Sequence, residues 1–154
     1  MSERPAQLHT EADRQVGELI GLVNTLDDVT ARRLCAGREK LGDGTVGAIA
    51  RHTADNYARI ARFVSSRAAI DGDAGHGPHG AHDFDRDAVI EQLGATRVAL
   101  GSVALLSDQQ LDEVPPAGSF RFCDGERTVE QVLSGLLRHQ SHHLDALRLA
   151  VHNT

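Results

Sequence analysis

Aromatic residues are scarce in this chain: its 154 residues include no Trp, one Tyr and four Phe. Lysine is scarcer, Lys40 being the only one among 16 basic residues, and the net charge is −6. A nucleic-acid-binding surface combines basic stripes with stacking aromatics, so these absences argue against a nucleic-acid partner. Two cysteines, Cys35 and Cys123, are too few for a disulfide scaffold and read as free, small buried residues. The opening residues Met1-Ser2-Glu3-Arg4-Pro5 lack the apolar core of a signal peptide. The longest apolar stretch, residues 98–106, is interrupted by Gly101 and Ser102 and falls short of the ~20 residues that a membrane span needs. A cytoplasmic protein with no membrane partner is the expectation. Sustained alternation of apolar and polar residues is also missing, which leaves no strand to predict.

What the chain does have is helical periodicity and nine histidines. At 16.5 kDa it has the size of one domain, residues 1–154. Four segments repeat apolar residues at helical spacing. The first is expected to start at Thr10 as N-cap and carries Val16, Leu19, Ile20, Val23 and Leu26. A short second piece is expected from Val29 to Cys35. Thr45 caps the next long helix, whose inward face reads Ile49, His52, Thr53, Asn56, Ile60, Phe63 and Val64, ending near Ile70. Residues 71–85 are rich in glycine and read as a loop that includes His76, His79 and His82. The third long helix is expected over residues 85–106, with Val89, Ile90, Leu93, Thr96, Arg97, Leu100, Val103 and Ala104 on one face. Residues 107–127, with Pro115-Pro116 and Gly118 as breakers, read as another connection. Thr128 and Gln131 form a capping box for the last helix, which carries Val132, Leu133, Leu136, Leu137, His139, Gln140, His143, Leu147 and Ala150. The expected fold class is all-α, a four-helix bundle with long connections between helices 2 and 3 and between helices 3 and 4.

An internal echo accompanies this order. Asp43-Gly44-Thr45-Val46 leads to Arg51-His52, and Asp124-Gly125 with Thr128-Val129 leads to Arg138-His139.

His139 and His143 stand four residues apart, on one face of a helix. Two imidazoles so placed can share a divalent metal, and His52, inward on its own helix, is the candidate third ligand. Three imidazoles with an open position form a catalytic metal pattern; the competing reading is a set of hydrogen-bonded core histidines. Neutral imidazole suits zinc, nickel, iron and copper alike. The chain has no Glu-x-x-His and no His-Glu-x-x-His, which argues against a di-iron carboxylate site and a zincin protease. Asn56 and Gln140 are candidate hydrogen-bond partners for the imidazoles, with Asp55 and Asp145 as further acceptors. Tyr57 and Arg59 read either as substrate contacts or as exposed amphipathic side chains, and His142 as facing solvent or a helix boundary.

The segments DGTVGAIARHTADNYARIARF and TVEQVLSGLLRHQSHHLDALRLA resemble the second and last helices of the DinB superfamily, the DinB/YfiT-like metalloenzymes. The order of helices is similar along essentially the whole chain. This chain departs from the family in having no Trp and a His- and Gly-rich loop after the second helix. The resemblance implies a divalent metal, with zinc first and nickel or iron as alternatives, held by His52, His139 and His143. It also implies a metal-dependent transferase or isomerase that uses a low-molecular-weight thiol of the mycothiol or bacillithiol type as cosubstrate with a small-molecule substrate. A homodimer is expected. Metal-assisted hydrolysis and a non-catalytic metal- or ligand-binding, stress-related bundle are the alternatives.

Overall fold

The structure, a computed structural model, describes residues 3–35, 43–67 and 84–152. The described residues are mostly helical and contain no strand, so the protein is all-α there. The helices are α1 (Glu3–Asn24), α2 (Asp28–Ala31), α3 (Val46–Arg67), α4 (Arg86–Ala99), α5 (Asp108–Asp112) and α6 (Val129–His152). A 3-10 segment, Leu100–Leu105, continues α4.

The first helix begins a full two turns before the expected start. Thr10 is inside it, its hydroxyl donating to the Ala6 carbonyl at 2.9 Å rather than capping. Acidic Glu3 and the early Pro5 suit a helix N-terminus and extend α1 back past the predicted cap. The piece expected over residues 29–35 shortens to α2, capped by Asp27. The chain then turns into an isolated antiparallel bridge between Leu34 and Thr45. In it the Cys35 N–H donates to Gly44 and the Val46 N–H to Arg33, each at 2.7 Å. The connection after α4 is not featureless: Ser107 and Gln110 make a reciprocal capping box that starts α5. The end of α3 near residue 70 and most of the glycine-rich loop, residues 71–83, lie outside the described residues.

The two arms of the internal echo are built alike. Gly44 (φ 76°) and Gly125 (φ 83°) both take the left-handed conformation that favours glycine. The Asp43 carboxylate accepts from the Thr45 N–H and hydroxyl. Asp124 accepts from the Glu126 and Arg127 N–H groups. In each arm a threonine hydroxyl then accepts from the third helical N–H, Thr45 from Ala48 and Thr128 from Gln131.

The predicted stripes are the core. Val16, Leu19, Val23 and Leu26 meet Ile49, Ile60, Phe63 and Val64 of α3, Val89 and Leu93 of α4, and Val132, Leu133, Leu136, Leu137 and Leu147 of α6 in one cluster. Two members fail. Arg97 is exposed and donates to Asp13 at 2.6 Å. Ala104 is exposed too, and Leu106 is buried instead. The cause at Ala104 is the 3-10 winding, which has 3.0 residues per turn. It keeps Leu100, Val103 and Leu106 on one line and turns Ala104 away.

Helices α1 and α3 each pack against both α4 and α6, and α4 and α6 make little contact with each other. The four long helices are therefore arranged with α4 and α6 on opposite sides of the α1–α3 contact. The passages from α1 to α3 and from α4 to α6 run between helices that are not principal neighbours. The second passage is tied down by Phe120, stacked on Phe63 with centroids 4.7 Å apart. Arg4 adds a polar tie, donating to Glu130 at 2.8 Å and pairing with Asp112.

The run Arg86–Leu105 is long and apolar enough to cross a membrane by length and composition alone, at a mean hydropathy of 1.2. One third of that window is buried, and the run packs against α1 and α3.

Gly47 permits the closest approach around the first turn of α3. A Cβ there would lie 2.8 Å from the Phe84 Cβ and 3.2 Å from the Ala31 carbonyl oxygen. Gly21 in α1 has open space around it. Alanine gains ~1 kcal/mol over glycine in a helix interior, whereas forced overpacking costs ~1–3 kcal/mol. Thermal unfolding should therefore show Gly47→Ala lowering Tm and Gly21→Ala raising it.

Candidate metal centre

Helix α6 carries His139 and His143 on the face turned to α3, and α3 carries His52 on the face turned to α6. The rings meet edge to face. His52 and His143 have centroids 5.4 Å apart, and His139 and His143 have centroids 4.8 Å apart. His143 is 3% exposed, at the bottom of the group, while His52 and His139 are half-buried above it. His142 points to solvent, as its position on the helix predicted.

A buried polar network holds this face of α3 against α6. The Gln140 side-chain nitrogen donates to the Thr53 carbonyl at 2.8 Å, and its oxygen accepts from Asn56 Nδ2 at 3.3 Å. Asn56 Nδ2 also lies 3.2 Å from His52 Nε2. An amide nitrogen only donates, so Nε2 is the acceptor in that contact and the ring proton belongs on Nδ1. Arg59 at 3.5 Å from Asn56 Oδ1 agrees with this orientation of the amide. Asn56 and Gln140 thus stand beside the imidazoles as expected.

The two carboxylates have hydrogen-bond partners elsewhere. Asp55 accepts from Gln92 at 2.8 Å and Asp145 pairs with Arg148 at 2.8 Å. Each is drawn to the partner its own helix face offers. Tyr57 is neither a substrate contact nor an exposed side chain: it is fully buried, and its hydroxyl donates to Gln15 Oε1 at 2.7 Å. Burial pushes its pKa far up, so the phenol stays neutral. Gln15 in turn donates to Glu11 and to the Leu137 carbonyl, joining α1 to α6. Cys35 and Cys123 are free and buried. His76, His79 and His82 lie outside the described residues.

Burial lowers the pKa of His52, and the neighbouring Arg59 adds to the effect. The imidazole is accordingly neutral at pH 7, the form that binds metal. Imidazoles sharing one ion at ~2.0–2.1 Å from nitrogen have centroids on the order of 5 Å apart, which the two observed separations match. Imidazole as a donor type suits a divalent ion. Among the described residues, however, no group of three His, Cys, Asp or Glu side chains stands ready to hold a metal ion. At His52 the Nε2 faces Asn56, so ligation through that atom requires the amide to give way.

No family model, curated protein or solved structure matches this chain. What the site can do rests on its own residues.

Sequence reasoning missed the loop that frames the site. Phe122 stands edge-on to His139 with centroids 6.2 Å apart, and its backbone is left-handed at φ 68°. Such a conformation is an outlier for a bulky residue. The guanidiniums of Arg121 and Arg127 lie 5.5 and 5.9 Å from its ring centroid. The available signal was Phe120-Arg121-Phe122, two of the four phenylalanines within three residues of a chain poor in aromatics.

Two outcomes follow from these contacts. His52 should titrate with a midpoint below 6.5 in the metal-free protein, read from its ring signals by NMR. Protonation is therefore harder in the folded state than in the unfolded one: the stability this site contributes is full above pH 6.5 and is lost as the pH falls through the lower folded value. Tyr57→Phe should cost about 1–2 kcal/mol in chemical denaturation, because Gln15 Oε1 loses a buried donor.

Proposed function

We propose that this protein is a metal-dependent enzyme of the DinB-like four-helix-bundle class, a thiol-dependent transferase or isomerase. His52, His139 and His143 would hold the ion. The observation that carries this reading is the meeting of three imidazoles from two helices, at 5.4 and 4.8 Å, with His143 buried beneath the other two. The resemblance of the two histidine-bearing segments to that superfamily supports it independently. Zinc is the first choice of ion, with nickel or iron as alternatives.

When bound, the ion supplies the positive charge that lets an entering low-molecular-weight thiol lose its proton at neutral pH. The chain supplies the rest. Neutral His52 keeps one ring nitrogen lone pair, on Nε2, which Asn56 would have to release to the ion. Asn56 and Gln140 fix the rotation of α3 against α6 and with it the direction of the imidazoles. Second-shell partners of this kind orient metal ligands. The groove beside His139 gives a small-molecule substrate access from solvent.

A second reading is a non-catalytic bundle whose histidines are hydrogen-bonded core residues. It is favoured by the contact of His52 Nε2 with Asn56 and by the absence of a ready three-donor group among the described residues.

Elemental analysis of natively purified protein separates the two. The enzyme reading expects about one divalent ion per chain, lost in His52→Ala and His143→Ala, and thiol-transfer activity that chelation abolishes. Metal-free native protein, or His52→Ala with unchanged activity, overturns it.

A further inference from the structure

The groove on the outer side of α6 has a volume of about 630 Å³ and opens onto His139. Its walls include Phe122, Arg127, Glu130, Arg138 and His142. In a chain of net charge −6, the charge of these walls is unexpected. The one acidic wall residue, Glu130, is already matched by Arg4, which donates to both of its oxygens at 2.8 and 3.2 Å. Arg138 has no carboxylate at ion-pair distance among the described residues. Among the described residues Arg127 pairs with Asp124 alone, at 3.6 Å to Oδ2, while Oδ1 of that carboxylate accepts from the N–H groups of Glu126 and Arg127. Cationic charge therefore prevails in the groove.

The arginines are also held. Phe122 presents its ring to Arg121 and Arg127 together, stands edge-on to His139, and has a left-handed backbone. Local strain of this kind is retained where the surroundings require it, commonly at ligand sites. The Asp-Gly turn at Asp124-Gly125 fixes the backbone that carries Arg127. A guanidinium restrained on an aromatic face loses less freedom when it binds, and its planar fork matches the two oxygens of a carboxylate.

We propose that this groove is the binding site for a small organic acid, whose carboxylate is taken by Arg138 and Arg127 beside His139. The inference deepens the enzymatic reading by naming the substrate class as carboxylate-bearing, and it rests on that reading only in linking the groove to catalysis. Binding itself needs no metal.

The test uses the full-length, metal-free protein and succinate as probe, with succinamide as its uncharged counterpart, followed by NMR shifts of the α6 and loop amides. Succinate should bind saturably, on the order of 1 mM or tighter, with shifts centred on Arg127, Arg138 and His139. Succinamide should not. Arg138→Gln and Arg127→Gln should each weaken binding roughly tenfold, the worth of a charge-assisted hydrogen bond, and Arg138→Lys should restore part of it. Arg62→Gln, outside the groove, should change nothing. Zinc titrations of the same variants should match the unsubstituted protein, and His52→Ala should lose zinc but keep succinate, so failure of the metal reading is distinguishable from failure of this one. The absence of saturable succinate binding overturns the proposal. So does equal binding of succinamide, or undiminished binding in both arginine variants.

Discussion

The interaction on which the rest depends is the buried polar seam that joins α1, α3 and α6. Tyr57 donates to Gln15, Gln15 to the Leu137 carbonyl, Gln140 to the Thr53 carbonyl, and Asn56 to Gln140. Apolar packing is non-directional, so the leucines and valines around this seam tolerate small rotations of one helix on another. Hydrogen bonds between fully buried groups do not, because each slip would leave a donor or acceptor unsatisfied. The seam therefore sets the rotation of α3 and α6, and that rotation turns His52 towards His139 and His143.

The same seam accounts for the character of the candidate site. His52 is half-buried at its edge and neutral for that reason. His143 is sunk beneath it and His139 stands where the seam gives way to the groove. The polarity thus changes over a short distance, from a satisfied interior to an arginine-lined opening. A helical protein of this size could have closed the region with leucines. Keeping imidazoles and amides there has a desolvation cost, which a chemical role would justify.

Much of this was legible beforehand where local chemistry decides the outcome. The stripes of α1, α3 and α6, the Thr45 and Thr128 caps and the paired Asp-Gly turns all follow from short-range rules, and the structure bears them out. The failures have separate causes. Thr10 looked like a cap because capping residues are recognised one at a time, yet the chain before it was already helical. Ala104 left the core because the helix changed pitch, which a fixed 3.6-residue period does not register. Asp55 and Asp145 looked like partners for histidine from proximity in sequence; Asp55 instead meets Gln92 of α4, which only packing brings near, and Asp145 pairs with Arg148 three residues on in its own helix.

The sequence by itself determined that the described chain is helical, which residues face inward, and which three histidines lie on inward faces, because helical periodicity converts position into direction. Tertiary structure decided the remainder. It decided that α3 and α6 are neighbours, so that His52 meets His143. It buried Tyr57 against Gln15 of α1, forty-two residues away in sequence. It placed Phe122 and its flanking arginines beside His139. Each of these needs chain segments far apart in sequence to be brought together, and no local preference encodes that approach. It follows from the joint burial of four apolar stripes and from the satisfaction of the polar groups trapped between them.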